Sequence, residues 1–200
     1  MIRLQDMGCH NINFVTPEHV VPQIVEALPY AIELGLKIPL VYNTGTYDGM
    51  ESLELMDGLI DIYMPDFKFW STEASKRFLK AEDYPQVAKR ALKEMYRQVG
   101  DFEEDDRGLA RKGIILRHLV MPNHTSESMS ILEWLAEEIS TGIYLNIMAQ
   151  YRPEHYAFKY QDIARGITKE EYIKVHQFAE KLGFTKLDSA RPRTRRIIVL

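Results

Sequence analysis

Asp66 and Lys68 sit two positions apart in the stretch IDIYMPDFKFW, residues 60–70. On an extended chain that spacing puts both side chains on one face. An acid and a base at the end of an apolar run are either an ion pair of their own or part of a ligand site. Four other places repeat the pattern. Thr16, Glu18 and His19 follow one apolar run, and Asn43, Thr44 and Asp48 follow the next. Asn123 and His124 end another, which holds Arg117 and His118 inside it, and Gln150, Arg152 and His155 end the last. Ligands of parallel α/β proteins collect beyond the carboxyl ends of the strands. Five polar strand ends in register therefore point to one shared polar site.

Each residue also has a plainer role. Asp66 and Lys68 form a surface ion pair as readily as a site, and Thr16 reads first as the cap of the helix that follows. Arg117 is harder to set aside, because a guanidinium inside an apolar strand needs an anionic partner. His19, His124 and His155 are conceivable metal ligands of a hydrolase, but no pair has a helical or short-loop metal spacing. Asn43-Thr44-Gly45 is a polar turn able to offer N–H groups to a carboxylate or phosphate, and is too short for a phosphate loop. No Gly-x-Ser-x-Gly elbow is present, and Cys9 has no identifiable base beside it, so nucleophilic hydrolysis has no support.

The elements that must position these residues follow from the changing period of the apolar pattern. HNINFVT (10–16), IPLVYNTG (38–45), residues 60–66, GIILRHLVMP (113–122) and IYLNIMAQY (143–151) read as strands. Helices are expected from Val20 to a stop at Gly35, with a kink at Pro29, and over 50–58, 72–80 and 84–99. Two more follow: one through Leu132, Leu135 and Ile139, and one behind the capping box Thr168–Glu171. Asp83 and Gln86 look like a capping pair, and the acidic DFEEDDRG (101–108) like a solvated loop. Strand and helix alternate five times, which predicts parallel strands joined by right-handed helical crossovers. Residues 1–187 form one expected domain, followed by a basic tail, 188–200.

Composition bounds the function. The 200 residues are 46% hydrophobic and 27% charged, as in an ordinary globular domain. A net charge of -4 gives no reason to expect nucleic acid as the partner. No apolar run approaches the roughly 18–20 residues of a membrane span, and MIRLQDMGCH lacks the apolar core of a signal peptide. A single cysteine builds no disulfide framework, so the cytoplasm is the expected compartment.

NINFVTPEH, IPLVYNTGTYDG, IDIYMPDFKFW, ILRHLVMPNH and NIMAQYRPEH together resemble the radical S-adenosylmethionine (SAM) proteins. The nearest branch is the iron–sulfur proteins related to pyruvate formate-lyase activating enzyme. The similarity covers about residues 8–187, and VTPEH, MPDFK and QYRP carry it. The resemblance implies an α/β fold, a partial (β/α) barrel of six strands. It also implies a [4Fe-4S] cluster on three cysteines after the first strand, and SAM chelating the fourth iron. Reductive cleavage of SAM then gives methionine and a 5′-deoxyadenosyl radical. A flavodoxin- or ferredoxin-type donor would supply the electron, and the substrate is an unidentified protein or small molecule. By the same resemblance Asp66 and Lys68 lie in the SAM pocket, Lys68 meeting the methionyl carboxylate. Arg117 lies near the SAM carboxylate and ribose, with Asn43 and Thr44 lining the same pocket.

The chain departs from the family pattern at several positions. Thr16-Pro17-Glu18-His19 stands where relatives have Gly-Gly-Glu, with Glu18 as the substitute for gripping the SAM amino group. YNTG replaces Asp-Thr-Asn-Gly, and Arg152, beside Gln150, stands in place of a histidine. The Cys-x-x-x-Cys-x-x-Cys loop belongs ahead of Met1, and Cys9 alone cannot hold a cluster. Ile2, Leu4 and Met7 before Gly8 read as a helix tail, Cys9 as a buried helix-end residue, and HNINFVT as an exposed edge. The expectation is about five strands with the first one missing, a truncated or cluster-less radical SAM protein. The alternative is a non-catalytic SAM- or nucleotide-binding or protein-interaction domain.

Overall fold

The structure, a computed structural model, describes residues 1–188. Five parallel strands build its sheet: β1 (Ile12–Val15), β2 (Leu40–Thr44), β3 (Ile62–Pro65), β5 (Ala110–Leu119) and β6 (Tyr144–Met148). They lie side by side in chain order, β1-β2-β3-β5-β6. Helices α2 (Val21–Glu33), α3 (Met50–Leu55), α5 (Tyr84–Val99) and α6 (Thr125–Glu138) make the crossovers. The last helix, α7 (Lys169–Lys181), packs on α6, while α3 packs on both α2 and α5. This is the α/β architecture with parallel strands and helical crossovers that the alternating periods predict. Among the described residues no helix is long and apolar enough to cross a membrane.

Side-chain alternation decides which face does what. Along β5, Ile114, Leu116 and His118 are buried, while Ile115, Arg117 and Leu119 are half-buried on the opposite face. In β6, Leu145 and Ile147 are buried and Asn146 and Met148 are not. The buried set joins Leu28, Leu53, Leu92, Met95, Ile131 and Leu135 from the helices in one core. Removing each such side chain from water stabilises the fold by roughly 1.5–3 kcal/mol. Asn43, Asp66, Lys68, Arg117 and Met148 therefore share the face turned away from that core.

Caps and turns fix the ends. Thr168 accepts from the Glu171 N–H and the Glu171 carboxylate accepts from the Thr168 N–H, the expected capping box of α7. Gly35, at φ 91°, ends the turn after α2, which runs on for a turn past Pro29. Gly113, at φ 102°, is needed because a Cβ there would lie 2.1 Å from the Asp101 carbonyl oxygen.

Several local expectations are corrected. The 101–108 stretch contains a short strand, β4 (Glu103–Glu104), antiparallel to the start of β5, because β5 extends three residues before Gly113. The 72–80 segment is one short helix, α4 (Thr72–Ala74), running into a π turn, Ser75–Leu79. Asp83 places no side-chain bond on α5 and instead accepts from the Tyr47 hydroxyl. Thr16 sits at φ 53° and caps nothing through its hydroxyl. Cys9 follows the short helix α1 (Ile2–Asp6) and is exposed, because no residue of α1 is buried against the core. The expected edge is present: β1 pairs only with β2 among the described residues. The proposed tail lies, beyond Asp188, outside the described residues.

Candidate functional site

The parallel pairing of β3 with its neighbours continues past Pro65 and aligns four polar residues. The Asp66 N–H donates to the Thr44 carbonyl, and the Phe67 N–H to the Arg117 carbonyl. This register sets Asp66 beside Arg117. Both Asp66 oxygens are committed: Oδ1 accepts from Arg117 Nε at 2.7 Å and Oδ2 from Lys68 Nζ at 2.7 Å. Arg117 Nη2 donates onward to Asn43 Oδ1 at 2.8 Å. Three adjacent strands thus share one charged chain of hydrogen bonds, in which a single carboxylate holds two cations. The Tyr84 hydroxyl fixes the backbone from behind, accepting from the Lys68 N–H and donating to the Asp66 carbonyl at 2.8 Å. Burial raises the Tyr84 phenol well above its ordinary value, so it stays neutral.

Asp66, Lys68 and Arg117 form the floor of a cavity of about 710 Å³. Phe69, Leu119, Met121 and Met148 make its sides. The roof comes from two segments: Phe78 and Leu79 of the π turn with Lys80 just after it, and residues between Tyr151 and Ile163, including a short 3₁₀ turn, His155–Lys159. Ion pairs anchor the second segment. Arg77 binds Asp162 through two 2.8 Å bonds, and His124 Nε2 lies 3.2 Å from the same carboxylate. The Arg77 guanidinium also stacks between the rings of Phe78 and Tyr160. Asn123, at φ 63°, gives its Nδ2 to the Asp162 carbonyl and accepts from Arg165.

A second polar group lies beneath the ends of β1 and β2. Thr44 Oγ1 is 2.5 Å from Glu18 Oε1 and 2.7 Å from Asp48 Oδ2, and it accepts from the Thr46 N–H. A hydroxyl carries one hydrogen, so it donates to only one of the two carboxyls. Asp48 is only 3% exposed. Burial pushes its carboxyl up to about 6, against the opposing pull of hydrogen bonds from Thr44 and Tyr42. The Tyr42 hydroxyl donates to Asp48 Oδ1, and burial with the nearby carboxylates keeps that phenol protonated.

The structure brings Asn43, Asp66, Lys68 and Arg117 together. Thr44 and Glu18 join each other instead, and Thr44 is buried away from the cavity. Gln150 and Arg152 are exposed and do not line it, because the chain leaves β6 outward before Tyr151 turns back. Among the described residues no three His, Cys, Asp or Glu side chains are grouped to hold a metal ion, so His19, His124 and His155 make no common site. His118 is structural: Nδ1–H donates to the Phe67 carbonyl and Nε2 accepts from Ser128, while burial lowers its affinity for a second proton. The roof residues Phe78, Lys80, Tyr156, Lys159 and Tyr160 had no sequence signal beyond clustered aromatic and basic types.

No family model matches the chain. It is similar to an uncharacterized protein of Methanocaldococcus jannaschii, with 34% identity over 172 residues. The match covers 86% of this chain and 46% of that protein, so the chain spans about half the length of the relative it matches.

Proposed function

We propose that this chain is the SAM-binding part of a radical SAM protein of the activating-enzyme-related branch, folded as part of a (β/α) barrel. The supporting observation is the floor of the cavity. Lys68 and Arg117 stand at the carboxyl ends of β3 and β5, held by one shared carboxylate, in a cleft with apolar sides. A methionyl carboxylate would meet Lys68 and the outer face of Arg117, and a flat adenine would lie against the apolar wall. In that family SAM supplies the adenosyl group that takes a hydrogen atom from the substrate.

The chain's own part is recognition. Asp66 sets the direction of both cations, Asn43 fixes the far end of the guanidinium, and the roof limits access of water. The residues present do not fit an iron–sulfur cluster: Cys9 is the one cysteine in the sequence, and a cluster needs three or four thiolates. No step through such a cluster is assigned to these 200 residues.

Titration calorimetry with SAM and S-adenosylhomocysteine tests the proposal. The expected result is saturable binding of both, weakened about tenfold by Lys68→Met, since one charged hydrogen bond contributes roughly 1.5 kcal/mol. Absence of heat with either ligand, from protein of native circular dichroism, would end it.

A further inference from the structure

The charge of the cavity wall is lopsided. Lys68, Lys80, Arg117 and Lys159 line it against one carboxylate, Asp66, in a chain whose net charge is -4. Asp66 is spent on the two floor cations. The two roof lysines have no such partner. Lys80 Nζ donates to the Arg77 carbonyl and, at 3.3 Å, to the Tyr160 hydroxyl, both neutral. Lys159 Nζ stands 4.2 Å above the Tyr156 ring. No ion pair joins either lysine to a carboxylate among the described residues. Lys80 also occupies a left-handed backbone position, φ 61°, where glycine is the unstrained choice.

The surfaces beside these lysines are flat and aromatic. Tyr156 is exposed, Tyr160 half-buried, and Phe78 packs edge-on against Tyr160 with centroids 5.3 Å apart. Two unneutralised ammonium groups beside aromatic faces suit a ligand with an oxyanion at one end and a flat apolar body. A purely apolar ligand would leave both charges unanswered, and a cationic one would be repelled.

We infer that the mouth of the cavity, between Lys80 and Lys159, is a separate subsite for the carboxylate or phosphate group of a small aromatic molecule. The inference rests on the proposed function for one point only: SAM takes the floor, so the molecule at the mouth is a second ligand, of the class expected for a substrate.

Phenyl phosphate and benzoate are the probes, titrated into the 200-residue chain at constant ionic strength, with and without saturating S-adenosylhomocysteine. Benzyl alcohol and benzylamine serve as the neutral and cationic counterparts. At least one anion should bind and both counterparts should not, and the stronger anion identifies phosphate or carboxylate as the preferred group. Lys80→Gln and Lys159→Gln should each weaken the anion about fivefold, and together about twentyfold, as expected for partly exposed charge pairs. S-adenosylhomocysteine affinity should not move in either variant. The inference fails if the anions bind no better than benzyl alcohol, if the double variant keeps its affinity, or if S-adenosylhomocysteine displaces the anion. Anion binding with the expected lysine dependence, but no S-adenosylhomocysteine binding, would overturn the proposed function and leave the anion subsite standing.

Discussion

Asp48 shows how burial sets the affinity of one carboxyl for its proton. Only 3% exposed, it is pushed up by burial against the opposing hydrogen bonds from Thr44 and Tyr42. The folded carboxyl, at about 6, lies above its unfolded value of 3.8. Its contribution to stability is therefore fully present below pH 3.8 and is lost as pH rises through 6. Asp48→Asn keeps the shape of the protonated acid without the titration. Relative to wild type, the variant should gain about 2.5 kcal/mol between pH 4 and pH 8, read by urea unfolding at both ends. A constant difference across that range would mean that burial does not raise the Asp48 carboxyl. Asp66 and Lys68 were legible in the sequence because a spacing of two on a strand fixes a common face, and Arg117 because its burial demanded an acid. Glu18 and Asp48 were visible only as polar strand ends. Their meeting at Thr44 depends on the β1–β2 register, which no local spacing encodes.

The elements divide by how local their causes are. The five parallel strands and the crossover helices follow from period and stop signals within each segment, such as the Ala91, Leu92, Met95 and Val99 stripe of α5. The π turn at Ser75–Leu79 and the strand β4 escape such signals. β4 exists because β5 runs on before Gly113 and offers it a partner. Gly113 is also where the chain returning from α5 presses closest, with a prospective Cβ 2.6 Å from Phe102 Cα. Backbone cannot yield as a flexible side chain can, and the positive φ adds strain. Gly113→Ala should cost more than about 4 kcal/mol. Its thermal unfolding midpoint should fall by about ten degrees or more, whereas Gly108→Ala, with no neighbour within 4 Å of its Cβ, should cost about 1 kcal/mol.

At the scale of the molecule, the alternation of strands and helices was enough to foresee parallel strands joined by helices, while the roof was not foreseeable. Residues 149–168 show no period of 2 or 3.6, and their position over the cavity is set by distant partners: Arg77, Asn123 and His124 on Asp162, and Glu171 on Arg165. The sheet they cover ends at β1, whose outer side has no partner strand among the described residues. Parity then sorts its amides. The Ile12 N–H donates to the Pro39 carbonyl and the Thr16 N–H to the Asn43 carbonyl, so even positions face β2 and Asn13 and Val15 face outward. In deuterated water Asn13 and Val15 should lose their protons at nearly the rate of an unfolded peptide, while Ile12, Phe14 and Thr16 hold theirs far longer. Should Val15 instead exchange slowly, a further strand is pairing with β1 in solution, and the alternation of fast and slow sites would give that strand's register.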